Sequence, residues 1–232
     1  MLKELIPYSL KVRLRQSQRK LNDRKKAYRF ASKASKCPQP ELPYQSSLIQ
    51  DLKPNAAKKH NLCLAAERIE NIFIYPGEVF SFWQVIGNPS AQNGFLASRS
   101  LRNGELEDSV GGGLCQLSGL IYFLSLKANL EILERYNHSV DIYTEDTRFT
   151  PLGSDATVVY AYKDLRIRNN LAGPIRYSFN ILEETIEISL YSELPINEEE
   201  IEFQIKDPNE AIKEVITFRN KQSIAKSLYK TQ

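Results

Sequence analysis

The sequence lacks an apolar segment long enough to cross a membrane as a helix, which requires roughly 18 uninterrupted apolar residues. Its longest apolar run, near Leu120 to Leu126, is interrupted by Ser125 and followed by Lys127. No apolar segment follows the basic residues near the N-terminus, so no secretion signal is recognisable. We therefore expect a protein that is not integral to the membrane and that is cytoplasmic.

Cysteine and histidine are also scarce, with three and two residues in the chain. Cys37, Cys63 and Cys115 are odd in number and lack the close pairing of zinc ligands. Neither a disulfide framework nor a metal centre is expected from this pattern. We expect reduced thiols, no metal ion and no cofactor.

Positive charge is concentrated near the N-terminus. Residues 1–36 carry twelve Lys or Arg against two acids, in a chain whose net charge is only +3. From Ser9 to about Ala34 the residues favour helix, which predicts a basic helical extension over residues 1–36. Such an arm can contact an anionic membrane surface or can simply be a solvated helix, and no specific nucleic acid partner is indicated. Several prolines then predict a linker over residues 37–54.

Helical patterns begin the folded domain that we expect over residues 55–192. Apolar residues at helical spacing predict a helix over Asn61 to Ile69, with Asn61 as its cap. Aromatic residues from Val79 to Trp83 indicate a core cluster. A mostly apolar helix over Leu114 to about Ala128 is expected to be buried.

Strand patterns fill the remainder. Asn103-Gly104 between two extended runs predicts a β-hairpin. Further antiparallel strands are predicted at Ala156 to Tyr162, Leu165 to Ile167, Ile175 to Ile181 and Thr185 to Tyr191. We expect an α+β fold, in which a helical N-terminal arm precedes a central buried helix packed on a mostly antiparallel β-sheet. Residues 193–232 are interpreted as a C-terminal extension.

The main chemical signal is the block Gly111-Gly112-Gly113-Leu114-Cys115-Gln116. Successive glycines can adopt backbone angles closed to other residues and let another group approach the backbone. If a helix begins at Leu114, its free amides and the positive end of its dipole favour a thiolate at Cys115 and can hold an oxyanion. Cys115 is therefore a candidate nucleophile, although a cysteine in an apolar helix is more often inert.

A cysteine nucleophile needs a base, and the chain offers only His60 and His138. His60 lies among lysines and is expected to be solvated, whereas His138 follows a predicted strand after the Cys115 helix. This order is the layout of papain-like cysteine peptidases. Asp155 can orient His138 or cap a turn, and His138 can equally be a surface or capping residue.

Two arginines are candidates for binding a substrate carboxylate. Arg135 ranks above Arg148 because it lies close to His138 in sequence, although pairing with surface acids is the more common role of arginine. Cys63, on an apolar helix face, and Cys37, in the proline-rich segment, are not expected to react.

These blocks resemble the VanW family over roughly residues 55 to 185. Two blocks are highly specific together, Pro-Gly-Glu-x-Phe-Ser-Phe at residues 76–82 and Gly-Gly-Gly-x-Cys-Gln at residues 111–116. Other matching positions are Asn61, Gly87, Gly94, Asn103-Gly104, Glu134-Arg135 with His138, Ala156-Thr157-Val158, Asp164-Leu165 and Asn169-Asn170. The basic N-terminus and the acidic tail lie outside the resemblance.

The resemblance implies a link to peptidoglycan and glycopeptide resistance, with stem peptides or their precursors as partners. It implies an L,D-transpeptidase-like acyl transfer, in which Cys115 attacks a stem-peptide carbonyl, D-alanine is released and a 3-3 cross-link forms. His138 would accept the thiol proton, and Gln116 or backbone amides near Gly113 would steady the oxyanion. Alternatives are a cysteine peptidase and a non-catalytic accessory protein that binds precursors or a resistance-pathway partner.

The predicted site therefore has two groups of residues. The catalytic group is Cys115, His138 and Asp155. The group expected to bind substrate or the oxyanion is Gly111, Gly112, Gly113, Gln116 and Arg135.

Overall fold

The computed structural model describes residues 7–33, 40–102, 105–141, 150–209 and 211–231. The helices are α1 (Tyr8–Lys25), α2 (Ala56–Glu70), α3 (Phe82–Ile86) and α4 (Leu114–Lys127), with a short 3-10 helix at Ala91–Asn93. The strands are β1 (Tyr44–Asp51), β2 (Val79–Ser81), β3 (Ala97–Arg102), β4 (Glu105–Val110), β5 (Glu131–Glu134), β6 (Arg166–Arg168), β7 (Ile175–Ile181), β8 (Thr185–Ser192), β9 (Ile201–Asn209), β10 (Ile212–Arg219) and β11 (Gln222–Lys230).

The strands pair antiparallel throughout these sheets. Three sheets of three strands have the orders β1-β8-β7, β2-β6-β5 and β11-β10-β9, while β3 and β4 form a hairpin. Helices and antiparallel sheets pack around one main core, so the predicted α+β class is confirmed.

Helix α4 lies at the centre of this core. Leu117, Ile121 and Leu124 are fully buried, and the helix contacts α2, β1, β5 and β8. The predicted central buried helix is therefore confirmed. Within the described ranges, no helix combines the length and the apolar character needed to span a membrane.

The N-terminal helix is shorter than predicted. Helix α1 ends at Lys25, and Ala27 then adopts a positive φ of 50°, a conformation that a right-handed helix does not allow. Beyond this point Phe30 and Lys33 form isolated β-bridges with Val79 and Ile72. The continuation of the helix beyond Lys25 was therefore a wrong prediction, because this segment gains backbone pairing with the core instead.

A strand occupies part of the segment that the prolines predicted to be a linker. All eight residues of β1 pair with β8, from Tyr44 opposite Ser192 to Asp51 opposite Thr185. Pro43 stands just before the strand, where it removes no hydrogen bond from the ladder. The linker prediction was therefore wrong for Tyr44–Asp51.

Two local predictions also need correction. Helix α2 starts at Ala56 and is capped by Asn55, whose side chain accepts a hydrogen bond from Lys58 N, so Asn61 is not the cap. The run from Ala156 to Tyr162 contains only an isolated bridge between Val159 and Lys163, because the chain there turns through Ala161 at a φ of 68°.

The hairpin and the C-terminal strands complete the fold. β3 and β4 pair in register as predicted from the sequence, whereas the turn residues Asn103-Gly104 lie outside the described residues. The C-terminal extension forms the β9–β11 sheet, and β11 runs beside the segment that carries His138: Lys230 N donates to Ser139 O, and Asp141 N donates to Lys230 O. This contact brings the C-terminal sheet to the predicted site.

Candidate functional site

A cavity of about 760 Å³ opens beside the first turn of α4. Cys115, His138 and Asp155 line it together with Gly111 and Gly113. Other walls come from α1, from the segment around Val158 and from Tyr229 of β11. Elements that are far apart in sequence therefore enclose the three residues predicted to be catalytic.

Cys115 is the second residue of α4. Gly113, with a φ of 98°, occupies the N-cap position, so the cysteine lies at the positive end of the helix dipole. The side chain is partly buried against the core, and its sulfur lies 3.8 Å from the carbonyl oxygen of Val158. The predicted helix start at Leu114 is confirmed, and Cys115 keeps access to the cavity.

Two of the glycines are required by space as well as by backbone angle. A Cβ on Gly113 would lie 2.7 Å from Cγ of Lys58, and one on Gly111, whose φ is 85°, would lie 2.8 Å from Cβ of Pro89. The carbonyl oxygen of Gly112 accepts a hydrogen bond of 3.0 Å from the side-chain amide of Asn61, which fixes its position. The block is therefore a close-packed turn that leads into α4.

The backbone amides of this turn differ in their availability. The N–H of Gly111 donates to Leu96 O and that of Gly112 donates to Ser109 O. In contrast, the N–H groups of Gly113 and Cys115 have no acceptor within the described part of the chain. Such unpaired amides are expected at a helix N-terminus and can bind an oxyanion. The amides of Gly111 and Gly112 are therefore not free for an oxyanion, whereas Gly111 still lines the cavity and its contact with substrate stays a prediction.

His138 is held by Asp155. Both the backbone N–H and the ring Nδ1 of His138 bond to Oδ2 of Asp155, at 2.7 Å and 2.6 Å. Since Nδ1 is occupied in this way, Nε2 is the ring nitrogen left to face Cys115. The side chains of Cys115, His138 and Asp155 thus follow one another in space in the order of a catalytic triad.

The surroundings strongly favour the protonated form of His138. Burial opposes protonation, but hydrogen bonds to Asp155 and Cys115, together with the charges of both groups, raise the pKa of His138 to about 10. His138 therefore holds a proton at neutral pH. A protonated imidazole beside a thiol is the setting in which a cysteine reacts as its thiolate.

Asp155 stays ionised although it is largely buried. Burial raises its pKa, but the hydrogen bond to His138, the charge of Arg135 and further contacts lower it to about 2. Its second oxygen, Oδ1, accepts hydrogen bonds from Arg135 at 2.9 Å and from the Tyr229 hydroxyl at 2.5 Å. Four donors therefore fix the carboxylate in one orientation.

Arg135 supports Asp155 and is not placed to bind substrate. Its guanidinium donates to the carbonyl oxygens of Asp155 and Gly153 and to the hydroxyl of Ser227, and its side chain is only 8% exposed. It also stacks on the Tyr122 ring at 4.8 Å. The described residues that line the cavity do not include Arg135. The prediction of a substrate-binding arginine was wrong, because internal acceptors occupy its donors.

Gln116 lines the cavity, but the nitrogen of its side-chain amide is already engaged. Nε2 donates to Oε1 of Gln50 at 2.8 Å and to the carbonyl oxygen of Asp51 at 3.1 Å. An amide nitrogen has only two hydrogens, so none remains for an oxyanion. The structure therefore assigns Gln116 to joining α4 with β1, which corrects its predicted oxyanion role.

Sequence reasoning missed Tyr229 and Ser227, which come from β11 and complete the support of Asp155 and Arg135. Burial and then the charge of Asp155 raise the pKa of Tyr229, so its hydroxyl remains a donor. No sequence signal marks these residues, because they lie more than seventy positions from Asp155 in an ordinary alternating strand.

Lys58 is a second residue that the sequence did not reveal. Its stem passes over Gly113 and its side chain lines the cavity. Burial, and then the charge of Lys53, lower its pKa. Among the described residues no acid forms an ion pair with it. A partly buried cation without a counter-ion thus stands beside the glycine turn.

The remaining candidates lie away from this arrangement. His60 is exposed and its Nε2 bonds to Gly94 O, while Cys63 is an exposed free thiol. Arg148 and Cys37 lie outside the described residues. Within the described ranges, no three His, Cys, Asp or Glu side chains form a group that could hold a metal ion.

Comparisons with known proteins agree with the motif pattern. The family model "VanW like protein" matches residues 57–191, which is more than half of the chain. The chain is 35% identical over 143 residues to the uncharacterised protein YoaR of Bacillus subtilis, covering 62% of this chain and 46% of that protein.

A second relative is the vancomycin B-type resistance protein VanW of Enterococcus faecalis. It is 34% identical over 113 residues, which cover 49% of this chain and 41% of that protein. The chain thus matches less than half the length of either relative. No solved structure matches significantly. From the family match and the residues that carry it, the chain belongs to the VanW family.

Proposed function

We propose that this protein is a cysteine acyl transferase that acts on peptidoglycan stem peptides or their precursors. The observation that carries the proposal is the arrangement of Cys115, His138 and Asp155 at one cavity, with Nδ1 of His138 only 2.6 Å from Asp155. A free thiol, an oriented imidazole and unpaired helix amides are the groups that acyl transfer through a thioester requires.

In the first step the Cys115 sulfur, whose proton is held by His138, attacks a peptide carbonyl carbon as a thiolate. The C–S bond forms, the C–N bond to the leaving residue breaks, and His138 gives its proton to the departing amine. For a stem peptide that ends in D-alanine, the leaving group is D-alanine and the product is a thioester on Cys115.

In the second step an amine of a neighbouring stem peptide attacks the thioester. The new amide bond forms, the C–S bond breaks, and the proton of the amine passes to His138, which restores the starting pair. Water in place of the amine would give a carboxylic acid, so the same residues would then act as a hydrolase. The acceptor decides between the two outcomes.

The N–H groups of Gly113 and Cys115 serve as the oxyanion donors in this mechanism. They are the two amides of the turn that have no acceptor within the described residues. Donors that are fixed before the reaction stabilise the charge that develops on the carbonyl oxygen, typically by about 2.7–4 kcal/mol for one donor.

Lys58 binds the carboxylate of the substrate. Its ammonium is the partly buried, unpaired cation next to Gly113, and its side chain lines the same cavity as the thiol. The name of the Enterococcus faecalis relative connects that protein with vancomycin resistance. With the family match, this supports peptides of the peptidoglycan pathway as the substrate class.

The deciding experiment is intact-protein mass spectrometry after incubation with a synthetic stem tetrapeptide that ends in D-alanine, with and without an amine acceptor. We expect a thioester adduct that maps to Cys115, release of D-alanine and turnover when the acceptor is added. Cys63→Ser is the matched control, because Cys63 is an exposed free thiol outside the cavity.

Cys115→Ser should abolish the adduct while the protein remains folded. Binding of the peptide without adduct or release in the wild type would contradict the proposal and leave a non-catalytic binding protein. For Lys58→Met, we expect KM to rise for the peptide acid and to change little for the corresponding peptide amide. Lys59→Met is its control, since Lys59 pairs with Glu183 outside the cavity.

A further inference from the structure

Helix α1 is attached to the protein by its polar face. Arg19 pairs with Glu134 at 2.7 Å, and Asp23 receives two hydrogen bonds from Arg166 at 2.5 Å and 3.1 Å. Gln16, three residues before Arg19, donates to the Tyr160 hydroxyl at 2.6 Å. Ion pairs and hydrogen bonds, rather than leucines, therefore hold this helix against the domain.

Three leucines of α1 face outwards instead, whereas Val12 is half-buried and lines the cavity. Leu10, Leu14 and Leu21 are 46%, 57% and 56% exposed. Their spacings of four and seven residues place them within an arc of about 40° on the helix. This is the reverse of a normal surface helix, whose apolar stripe faces the core. The three residues form one outward leucine stripe.

Basic side chains flank the leucine stripe on both sides. By helical spacing, Arg13, Lys20 and Arg24 lie along one side of it and Lys25 along the other, and all four are exposed. None of them has an acidic partner among the described residues. The only acid in α1 is Asp23, which is buried on the opposite face.

We propose that the leucine stripe of α1 and its basic flanks dock onto the surface of an anionic phospholipid membrane. The leucines would enter the boundary of the acyl chains, and the four cations would meet the lipid headgroups. A second copy of the chain is a poorer occupant, because it would bring four unpaired cations against four others.

This interaction would place the cavity close to the lipid. Val12 and Gln16 of α1 line the cavity, so one helix would serve both as its wall and as the membrane contact. The proposal does not depend on the chemistry of Cys115. Membrane binding and acyl transfer can therefore be tested separately, and failure of one would not refute the other.

The test is co-sedimentation of the full chain with vesicles of phosphatidylglycerol and, separately, of phosphatidylcholine. We expect binding to the anionic vesicles that weakens with salt, and little binding to the neutral ones. Lys20→Gln with Arg24→Gln should weaken binding by about 25-fold, at about fivefold for each charge. Leu10→Ser, Leu14→Ser and Leu21→Ser together should weaken it by at least about 100-fold.

Leu182→Ser is the matched control, because Leu182 is 53% exposed but lies outside α1. It should bind vesicles like the wild type. Equal binding to neutral vesicles, absence of binding to anionic vesicles, or full binding by the triple leucine variant would each overturn the proposal. So would a dimer in solution that the triple variant converts to monomers, since the stripe would then be covered by a second copy.

Discussion

Replacing Asp155 by asparagine tests the arrangement of the site most directly. The carboxylate accepts hydrogen bonds from His138 N, His138 Nδ1, Arg135 and Tyr229. An amide of the same shape has no charge and turns two hydrogens toward groups that are themselves donors. The substitution therefore affects both the titration of His138 and the stability of the fold.

Two effects of predictable size follow. Loss of a negative charge in contact with the imidazole should lower the pKa of His138 from about 10 by roughly 1–3 units. Removing one partner of a buried ion pair leaves Arg135 without its counter-ion, which should lower the free energy of unfolding by about 3–5 kcal/mol. The change in the pKa of His138 reports on the site, whereas the change in the free energy of unfolding reports on the whole domain.

Nuclear magnetic resonance can follow the titration, because the chain has only His60 and His138. The ring signals are recorded against pH in the wild type and in Asp155→Asn, and His60→Gln assigns them. Urea unfolding of the same proteins gives the free energy. If His138 of the wild type titrates between about 6 and 7, as an ordinary histidine does, the reasoning about the site is refuted.

The pH dependence of stability has a defined sign. The pKa of His138 is raised, so its contribution is complete below about 6.5 and is lost as the pH rises toward 10. The pKa of Asp155 is lowered, so its contribution is present above 3.8 and is lost as the pH falls toward 2. We therefore expect the two groups to stabilise the fold most between about pH 4 and 6.5, and this window should disappear in Asp155→Asn.

Three further substitutions test the parts around the site. Gly113→Ala places a Cβ on a residue of positive φ and against the side chain of Lys58. Urea titration should show that the free energy of unfolding falls by about 1–3 kcal/mol. An unchanged free energy would contradict the close packing of the turn. Asn61→Ala removes three hydrogen bonds that hold Gly112 and Leu96, and thermal melting should show a loss of about 2–4 kcal/mol. Tyr229→Phe removes one donor to Asp155, so the carboxyl should titrate at higher pH while the fold keeps most of its stability, a result that carboxyl nuclear magnetic resonance can check.

Patterns within short stretches of sequence were sufficient to predict several of the helices and strands. The pairing of β3 and β4 could be predicted from the dipeptide Asn-Gly between extended runs, and α4 from an apolar helical pattern after three glycines. Cys115 at the helix start depends only on residues beside it in the chain. His138 could be selected because the chain has only one other histidine. In each case the relevant interactions are local or the choices are few.

Elements whose pairing partners lie far away in sequence could not be predicted. β1 is a strand because β8 pairs with it, whereas the prolines before it favoured the prediction of a linker. The run after Asp155 has strand-like residues, yet it turns through Ala161 and makes only one bridge. Local propensity is weak compared with the hydrogen bonds and packing that tertiary structure supplies.

By itself, the sequence determined the fold class, the central helix and the three side chains that meet at the cavity. Only the tertiary structure decided what their neighbours do: it engages the donors of Arg135 and Gln116 with internal acceptors, and it brings Tyr229 from the C-terminal sheet to Asp155. The physical reason is that hydrogen-bonding groups have a limited number of donors and acceptors. Which of them remain free for a substrate is known only when every internal partner is in place.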